Sequence, residues 1–343
     1  MDKILVTGGA GYIGSHVVKQ LIEETDYRVH IIDNLSTGFI ETIKRLEEIA
    51  AEKNKQIKFT KLDLSHWDKV DNFIKENNFD VVIHFAAALI VPESVENPLK
   101  YYLNNTANTA YLIKCCVKNN VNKFIFSSTA AVYGEPDKKF IPIDENCPTN
   151  PINPYGMSKR MSEIVLKDVA KANSNFNYVV LRYFNVAGAD PLGRIGQSTK
   201  NATHLIKVAA ETALGKRKKM YIFGDDYETK DGTCIRDYIH VDDLAKAHLL
   251  AYEYLTSGHS SDVFNCGYGY GFTVKEVIDT MKKVSGVDFD VEITGRRAGD
   301  PAELVADNKK IKKMLNFKPK FDDLEFICKT ALEWEKNLFN FTI

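Results

Sequence analysis

An α/β fold, a doubly wound parallel sheet with a smaller mixed α/β lobe toward the C-terminus, is predicted by three observations. Short, nearly continuous apolar runs alternate with longer stretches of mixed polarity through the first half of the chain. A glycine cluster follows the first of these runs and opens a helical stretch. From about Ala189 onward the pattern is less regular and richer in loops. At 343 residues, and about 150 residues per domain, the chain has room for two domains or one large domain with an elaborated end.

The elements follow in order. Lys3–Val6, Val29–Ile32, Ile57–Phe59, Val81–Phe85, Lys123–Phe126 and Tyr178–Leu181 read as strands. Runs that are apolar throughout, rather than alternating, suit strands buried on both faces of a parallel sheet. Stretches at 13–24, 40–53, 66–77, 98–119 and 154–173 read as the helices between them, which implies right-handed crossovers in one sheet. Beyond Ala189 the expected order is a helix at 200–214, then strands at Met220–Phe223 and Val263–Cys266. A helix at 273–285, a strand near Phe289–Ile293 and helices at 307–315 and 321–338 complete it.

Composition narrows the function classes. Lys and Arg number 45 against 46 Asp and Glu, for a net charge of -1, and 44% of residues are hydrophobic. Such a chain can bury a sizeable core and has no charge excess for binding nucleic acid or a membrane surface. No signal-peptide pattern opens it, and its longest apolar stretch, Val81 to Val91, is interrupted by His84 and falls short of a membrane span. A soluble, cytoplasmic protein is expected. Cys115, Cys116, Cys147, Cys234, Cys266 and Cys328 form no Cys-x-x-Cys and have no His at zinc-finger spacing. They read as reduced core residues, none in a nucleophile motif, and no metal site is expected.

Thr7-Gly8-Gly9-Ala10-Gly11-Tyr12-Ile13-Gly14 places glycines at 8, 11 and 14 after the first strand. Without β-carbons this loop can approach a pyrophosphate, and a helix opening near Ile13 offers free N–H groups at its positive end. The sheet is thus Rossmann-type. Asp33 ends the second strand 19 residues past Gly14, near the spacing at which a carboxylate holds the adenine ribose hydroxyls. Asp33-Asn34-Leu35 would repel a 2′-phosphate and is followed by no Arg, which favours NAD over NADP. Asp63-Leu64 follows the third strand, where Asp63 either reaches the adenine edge or caps the next helix.

Tyr155-Gly156-Met157-Ser158-Lys159 sets Tyr and Lys four apart at a predicted helix start, hence on one face. A free phenol titrates at about 10 and is a poor base at neutral pH. A nearby ammonium, with an oxidised nicotinamide, is expected to lower that pKa. Ser127-Ser128-Thr129 ends the fifth strand, and strand C-termini face the ligand crevice in such sheets. Thr129, with Ser127 nearby, is therefore the candidate hydroxyl to hold or relay a substrate proton. Lys216-Arg217-Lys218-Lys219 reads as a solvated turn.

With the glycine loop, Asp33-Asn34 and the Tyr155/Lys159 pair, the segments His84-Phe85-Ala86-Ala87 and Ser127 to Gly134 resemble the extended short-chain dehydrogenase/reductase superfamily. Within it, Leu181 to Asn185, Gly224 to Tyr227, Asp231-Gly232-Thr233, Arg236 to Val241 and Arg296 to Asp300 resemble the UDP-glucose/UDP-galactose 4-epimerases over nearly the whole chain. The resemblance implies a tightly held NAD. Tyr155 would remove the sugar 4-hydroxyl proton while the C4 hydride leaves; the 4-keto sugar would then swing about its diphosphate link and be reduced on the other face.

The resemblance also implies particular residues. Tyr155, Lys159, Thr129 and Ser127 would be catalytic. The cofactor would be held by Gly8, Gly11, Tyr12, Ile13, Gly14, Asp33, Asn34, Asp63, Leu64, Phe85, Ala86, Ala87, Asn104, Ser127, Tyr155, Lys159 and Tyr183. The UDP-sugar would meet Thr129, Tyr155, Asn185, His204, Leu205, Phe223, Arg236, Arg297, Asp300 and Leu304, with the two arginines suited to a diphosphate. Residues 1–188 would form an NAD-binding Rossmann domain to which later segments can return, and 189–343 a UDP-sugar-binding domain. A homodimer through the helices at 98–119 and 154–173 is implied, although amphipathic stripes there suit packing on the sheet equally well.

Two departures matter. Leu89 stands where some of these epimerases carry a cofactor-contacting Lys. Leu304 falls where some place a bulky Tyr beside the sugar, which implies room for a 2-acetamido group and activity on UDP-GlcNAc and UDP-GalNAc as well. A nucleotide-sugar 4,6-dehydratase or decarboxylase is the nearest alternative, but Ala130-Ala131 follow Thr129 where a dehydratase resemblance would put an Asp-Glu pair. A non-catalytic NAD-sensing regulator, the other alternative, would be expected to lack Tyr155 or Lys159.

Overall fold

The computed structural model describes residues 1–200, 202–297 and 300–340. The chain runs β1 (Lys3–Thr7), α1 (Tyr12–Glu24), β2 (Arg28–Asp33), α2 (Ile40–Glu52), β3 (Lys58–Lys61), α3 (Trp67–Asn77) and β4 (Val81–His84). Next come α4 (Val91–Glu96), α5 (Pro98–Tyr101), a π-helical turn (Tyr102–Ala107), α6 (Asn108–Lys118), β5 (Lys123–Thr129), α7 (Pro154–Ala172) and β6 (Asn177–Tyr183). The second half adds β7 (Asn185–Ala187), α8 (Leu205–Ala213), β8 (Met220–Phe223), β9 (Ile235–Arg236), β10 (Tyr238–His240) and α9 (Val241–Thr256). It ends with β11 (Asp262–Cys266), β12 (Phe272–Thr273), α10 (Val274–Ser285), β13 (Val291–Thr294), β14 (Glu303–Leu304), α11 (Lys309–Met314) and α12 (Leu324–Asn340).

Seven parallel strands form the main sheet in the order β11-β6-β5-β4-β1-β2-β3. Successive residues of β1 point to opposite faces and all find cover. Ile4 and Val6 pack with α1, α2 and α9, whereas Leu5 packs with α3, α6 and α7. That two-sided burial is why the strand runs are apolar without alternation. The order reverses between β1 and β4, which opens a crevice at their carboxyl ends. The later strands build small sheets beside that crevice: β10 with β7, β13 with β8, and β12-β9-β14.

The structure departs from the sequence reading in definite places. The expected helix at 98–119 is broken into α5, the π turn and α6. Pro98 opens the first piece, and Asn105 within the turn reaches across to Ala88 N (2.8 Å), Ala88 O (2.9 Å) and Ser158 Oγ (3.0 Å), contacts that the wider turn accommodates. The expected helix at 200–214 starts only at Leu205, after His204; Asn201 lies outside the described residues. Phe289 precedes its strand and is buried in the core. Helix α9 was not expected from the sequence, because buried Asp242, Asp243 and His248 break up its apolar pattern. The six cysteines are free and buried, and burial pushes Cys115 and Cys328 up to about 12, so these two act as core residues.

Helix α9 is fastened to α1 by buried charge. Lys19 donates to Asp242 at 2.7 Å and to Asp190 at 2.8 Å, and His16 meets Asp242 at 2.6 Å. Burial alone would raise Asp190, but Arg194 and Lys19 hold it down at about 2. A Lys19→Met variant leaves two carboxylates buried with less compensation and should lose about 3–5 kcal/mol of stability. Urea unfolding followed by circular dichroism measures this; a loss below about 1 kcal/mol would contradict the role given to Lys19.

Candidate active site

The carboxyl ends of the strands open on a cleft of about 2000 Å3. One small-molecule ligand fills roughly 300–1,000 Å3, so this cleft has room for two large ones. Every cofactor, catalytic and substrate position expected from the sequence lines it. Of the arginine motif, Arg297 and Asp300 do so, while Ala298 and Gly299 lie outside the described residues.

At the switch point, Gly8 adopts φ +71°, and a Cβ there would lie 2.7 Å from Ala86 N. A Cβ on Gly14 would lie 2.4 Å from the Gly8 carbonyl oxygen. Helix α1 starts at Tyr12 with Gly11 as its N-cap, no side-chain cap and no acid in its first turn, so its opening N–H groups are left for an anion. Asp33 accepts from Ala10 N at 3.0 Å and Leu35 N at 2.8 Å, which ties the end of β2 to the loop. Burial raises its pKa, and those two donors oppose the rise. A glycine cradle that side chains would fill, an uncapped helix start and a strand-end carboxylate together fit a dinucleotide.

Asp63 accepts from Asn34 at 2.7 Å and from Ser65 N at 2.8 Å, whereas His66 is the N-cap of α3. The helix-capping alternative for Asp63 is thereby corrected. His84 is structural: it bonds Thr7 Oγ1 at 2.6 Å and Thr109 Oγ1 at 2.8 Å, and burial keeps it neutral at about 3.

Parallel pairing sets Ser127 beside Leu181 and Thr129 beside Tyr183. Asn153 caps α7 by accepting from Gly156 N at 2.8 Å, so the helix starts with Tyr155 in its first turn and Lys159 one turn on. Lys159, 4% exposed, donates to the Ser127 carbonyl at 2.9 Å, and the Ser127 and Tyr183 hydroxyls bond each other. Burial pushes the Lys159 amine down to about 7, against an upward pull from Glu163. Burial also raises the Tyr155 phenol, opposed by a hydrogen bond with Thr129. In the chain by itself desolvation outweighs the neighbouring groups at the phenol, and the amine is aimed at the Ser127 carbonyl; the expected lowering also counted on the charge of an oxidised nicotinamide.

Elsewhere along the cleft, Arg236 reaches Asp300 at 3.1 Å, and the Arg297 guanidinium stacks 3.6 Å over the Phe223 ring. Leu304 of β14 pairs beside Arg236 of β9. His204 Nδ1 accepts from Gln197 Nε2 at 2.9 Å, and burial lowers its pKa. The turn at Lys216–Lys219 is not simply solvated. Lys216 pairs with Glu335 at 2.6 Å and Arg217 with Glu211 at 2.5 Å, while Lys219 pairs with Glu292. Sequence reasoning missed Tyr101, whose ring stands edge-on to Tyr155 at 6.4 Å and whose hydroxyl donates to Ile90 O at 2.6 Å. No motif spacing marks it.

A Rossmann sheet with Ser/Thr, Tyr and Lys gathered at its strand ends defines an enzyme of the short-chain dehydrogenase/reductase type. The chain belongs to the NAD dependent epimerase/dehydratase family, whose model matches residues 4–267. It is 49% identical over 336 residues to a UDP-glucose 4-epimerase of Azospirillum brasilense, covering 98% of this chain and 92% of that one. The solved UDP-Glc/GlcNAc 4-epimerase of Campylobacter jejuni is 55% identical with a TM-score of 0.86, over 98% of this chain and all 100% of that one. The UDP-glucose 4-epimerase of Bifidobacterium longum, solved with NAD+ and UDP, is 38% identical with a TM-score of 0.91 over 98% of both chains.

If the Asp33 carboxylate takes the adenine ribose hydroxyls, NADP should bind at least about tenfold more weakly than NAD, a gap of roughly 1.4 kcal/mol. Titration of cofactor-stripped protein with each dinucleotide measures the ratio; equal affinities would remove Asp33 from this role.

Proposed function

We propose that this protein is an NAD-dependent 4-epimerase that interconverts UDP-glucose and UDP-galactose, and UDP-GlcNAc and UDP-GalNAc. The observation that carries the reading is the meeting of Thr129, Tyr155 and Lys159 in one cleft with room for both a dinucleotide and a sugar nucleotide. Thr129 orients the sugar 4-hydroxyl, and Tyr155 takes its proton and later returns it. Bound NAD supplies the hydride acceptor for C4 and a positive charge that favours the neighbouring phenolate. Lys159, held on the Ser127 carbonyl, reinforces that charge below its pKa of about 7. Arg236 and Arg297 hold the diphosphate while the 4-keto sugar turns to present its other face. Leu304, a smaller side chain than Tyr, leaves space beside the sugar for the 2-acetamido group.

A dehydratase is disfavoured by Ala130, which is buried at the start of a short turn directly after Thr129 and carries no acid. We further propose that the chain works in the cytoplasm as a homodimer. Val95, Leu99 and Leu103 are 63%, 69% and 63% exposed along α4, α5 and the π turn, which supports pairing of this face with its copy. Among the described residues no helix is long and apolar enough to cross a membrane. Residues 1–188 serve as the nucleotide-binding unit, to which β11 is added as an edge strand, and much of 189–343 serves the UDP-sugar.

The reading is tested by incubating purified protein with UDP-galactose and, separately, UDP-N-acetylgalactosamine, without added NAD. Product from both is expected; product from neither, even after NAD is added, would end it. A Tyr155→Phe variant should lose roughly three or more orders of magnitude in kcat while retaining NAD. An unaffected rate would point to a non-catalytic role. Leu304→Tyr should depress turnover of the acetamido sugars by about tenfold or more while sparing UDP-galactose, and equal losses on both would refute the specificity role.

A further inference from the structure

Behind the catalytic trio lies a second, fully enclosed set of polar side chains. Ser127, Thr129 and Tyr183 line the cleft, whereas Ser128 and Arg182, their neighbours along β5 and β6, face α7. Glu163 of α7, one turn beyond Lys159, accepts from Ser128 Oγ at 2.6 Å and from Arg182 Nε at 3.0 Å on the same oxygen. Its other oxygen accepts from Arg182 Nη2 at 2.6 Å. Arg182 Nη1 donates to the Tyr133 hydroxyl at 3.0 Å, which in turn donates to Asn265 at 2.7 Å. Glu163, Arg182 and Ser128 are all at most 5% exposed.

We propose that Arg182 and Glu163 are a positioning pair for the epimerase reaction, a buried bracket that fixes Lys159 and Thr129 relative to the Tyr155 phenol. The proposal rests on the epimerase reading above. Each arm of the guanidinium ends on a segment that carries a catalytic group. Through Glu163 it holds the α7 face from which Lys159 projects. Through Tyr133, whose ring it also overlies at 5.0 Å, it holds the turn Ala130–Tyr133 that begins at Thr129. A planar fork with separate donors can grip both at once, which a Lys could not do.

A buried ion pair is often worth little to stability compared with an apolar replacement, so this one is better explained by the geometry it imposes. A misplacement of about 1 Å in a near-attack arrangement costs on the order of 100-fold in rate. Charge contributes as well. The groups set against Lys159 are Glu163 from its own helix, the Ser127 carbonyl and Phe126 ring from β5, and His84 from β4. Glu163 is the carboxylate among them, and it pulls the Lys159 amine upward.

The test uses the full-length, NAD-loaded enzyme and the paired variant Glu163→Gln/Arg182→Met, which removes both charges so that neither is left alone. Thermal melting checks its fold. The expected result is a kcat reduced by about 30-fold or more with KM for UDP-galactose within about threefold, because neither side chain lines the cleft. The high-pH limb of kcat should also move to lower pH, since Lys159 loses the carboxylate that favours its charged form. Should the pair fail to fold, Tyr133→Phe keeps the stacked ring, removes one arm, and should lower kcat by about threefold or more at unchanged KM. A folded variant with wild-type kcat and an unmoved limb would overturn the proposal, as would a loss expressed mainly in KM. Absence of epimerase activity in the wild-type enzyme would instead overturn the functional reading.

Discussion

Parallel hydrogen bonding between β5 and β6 places Thr129 level with Tyr183 and Ser127 level with Leu181, and the chemistry of the cleft depends on that register. A slip of one residue would turn Ser127, Thr129 and Tyr183 away from the cleft and bring Ser128 and Arg182 into it. The register is held from both sides. Phe126 and Val180 pack toward α6 and α7, while Ile125, Val179 and Leu181 pack toward α1 and α9. Burial of strands that are apolar on both faces thus sets catalytic geometry as well as stability.

Desolvation is the second theme, and it acts in opposite directions on the two central groups. It lowers the Lys159 amine to about 7 and raises the Tyr155 phenol. Each shift favours the neutral form, so the chain by itself keeps charge low at the point where the reaction generates it. Positive charge near the phenol then counts for more than it would in water, because the surroundings screen it little. Burial disfavours charge on Lys159, so the nearby Glu163 carboxylate, which favours its charged form, bears directly on its state.

Much of this site was legible from local spacing. The glycines at 8, 11 and 14, Asp33 at a strand end, the four-residue step from Tyr155 to Lys159 and Thr129 at the end of a strand each encode their place in the cleft within one supersecondary unit. What was not legible depends on distant partners. The π turn at Tyr102–Ala107 goes with Asn105 reaching Ala88 and Ser158, separations that no periodicity reveals. Helix α9 hid because Asp242 and His248 look like surface residues until His16, Lys19 and the sheet enclose them. The burial that raises the Tyr155 phenol in the chain by itself was hidden for a related reason: sequence shows the neighbouring cation but not the desolvation.

The same alternation that feeds the cleft also explains why the bracing is so well enclosed. Side chains along a strand point to opposite faces in turn, so each cleft residue of β5 and β6 has a neighbour aimed at α7. Apolar side chains at those positions would pack the sheet but leave the angle between α7 and the turn after Thr129 to shape complementarity alone. Hydrogen bonds are directional where apolar contacts are not, and a guanidinium bonded to three acceptor atoms on two side chains admits few arrangements. Arg182 joins Glu163, Tyr133 and, through it, Asn265 of the edge strand β11, so the C-terminal strand that closes the sheet also bears on the position of Thr129. The late segment Asp262–Cys266 is in this way part of the machinery that orients the first half of the chain.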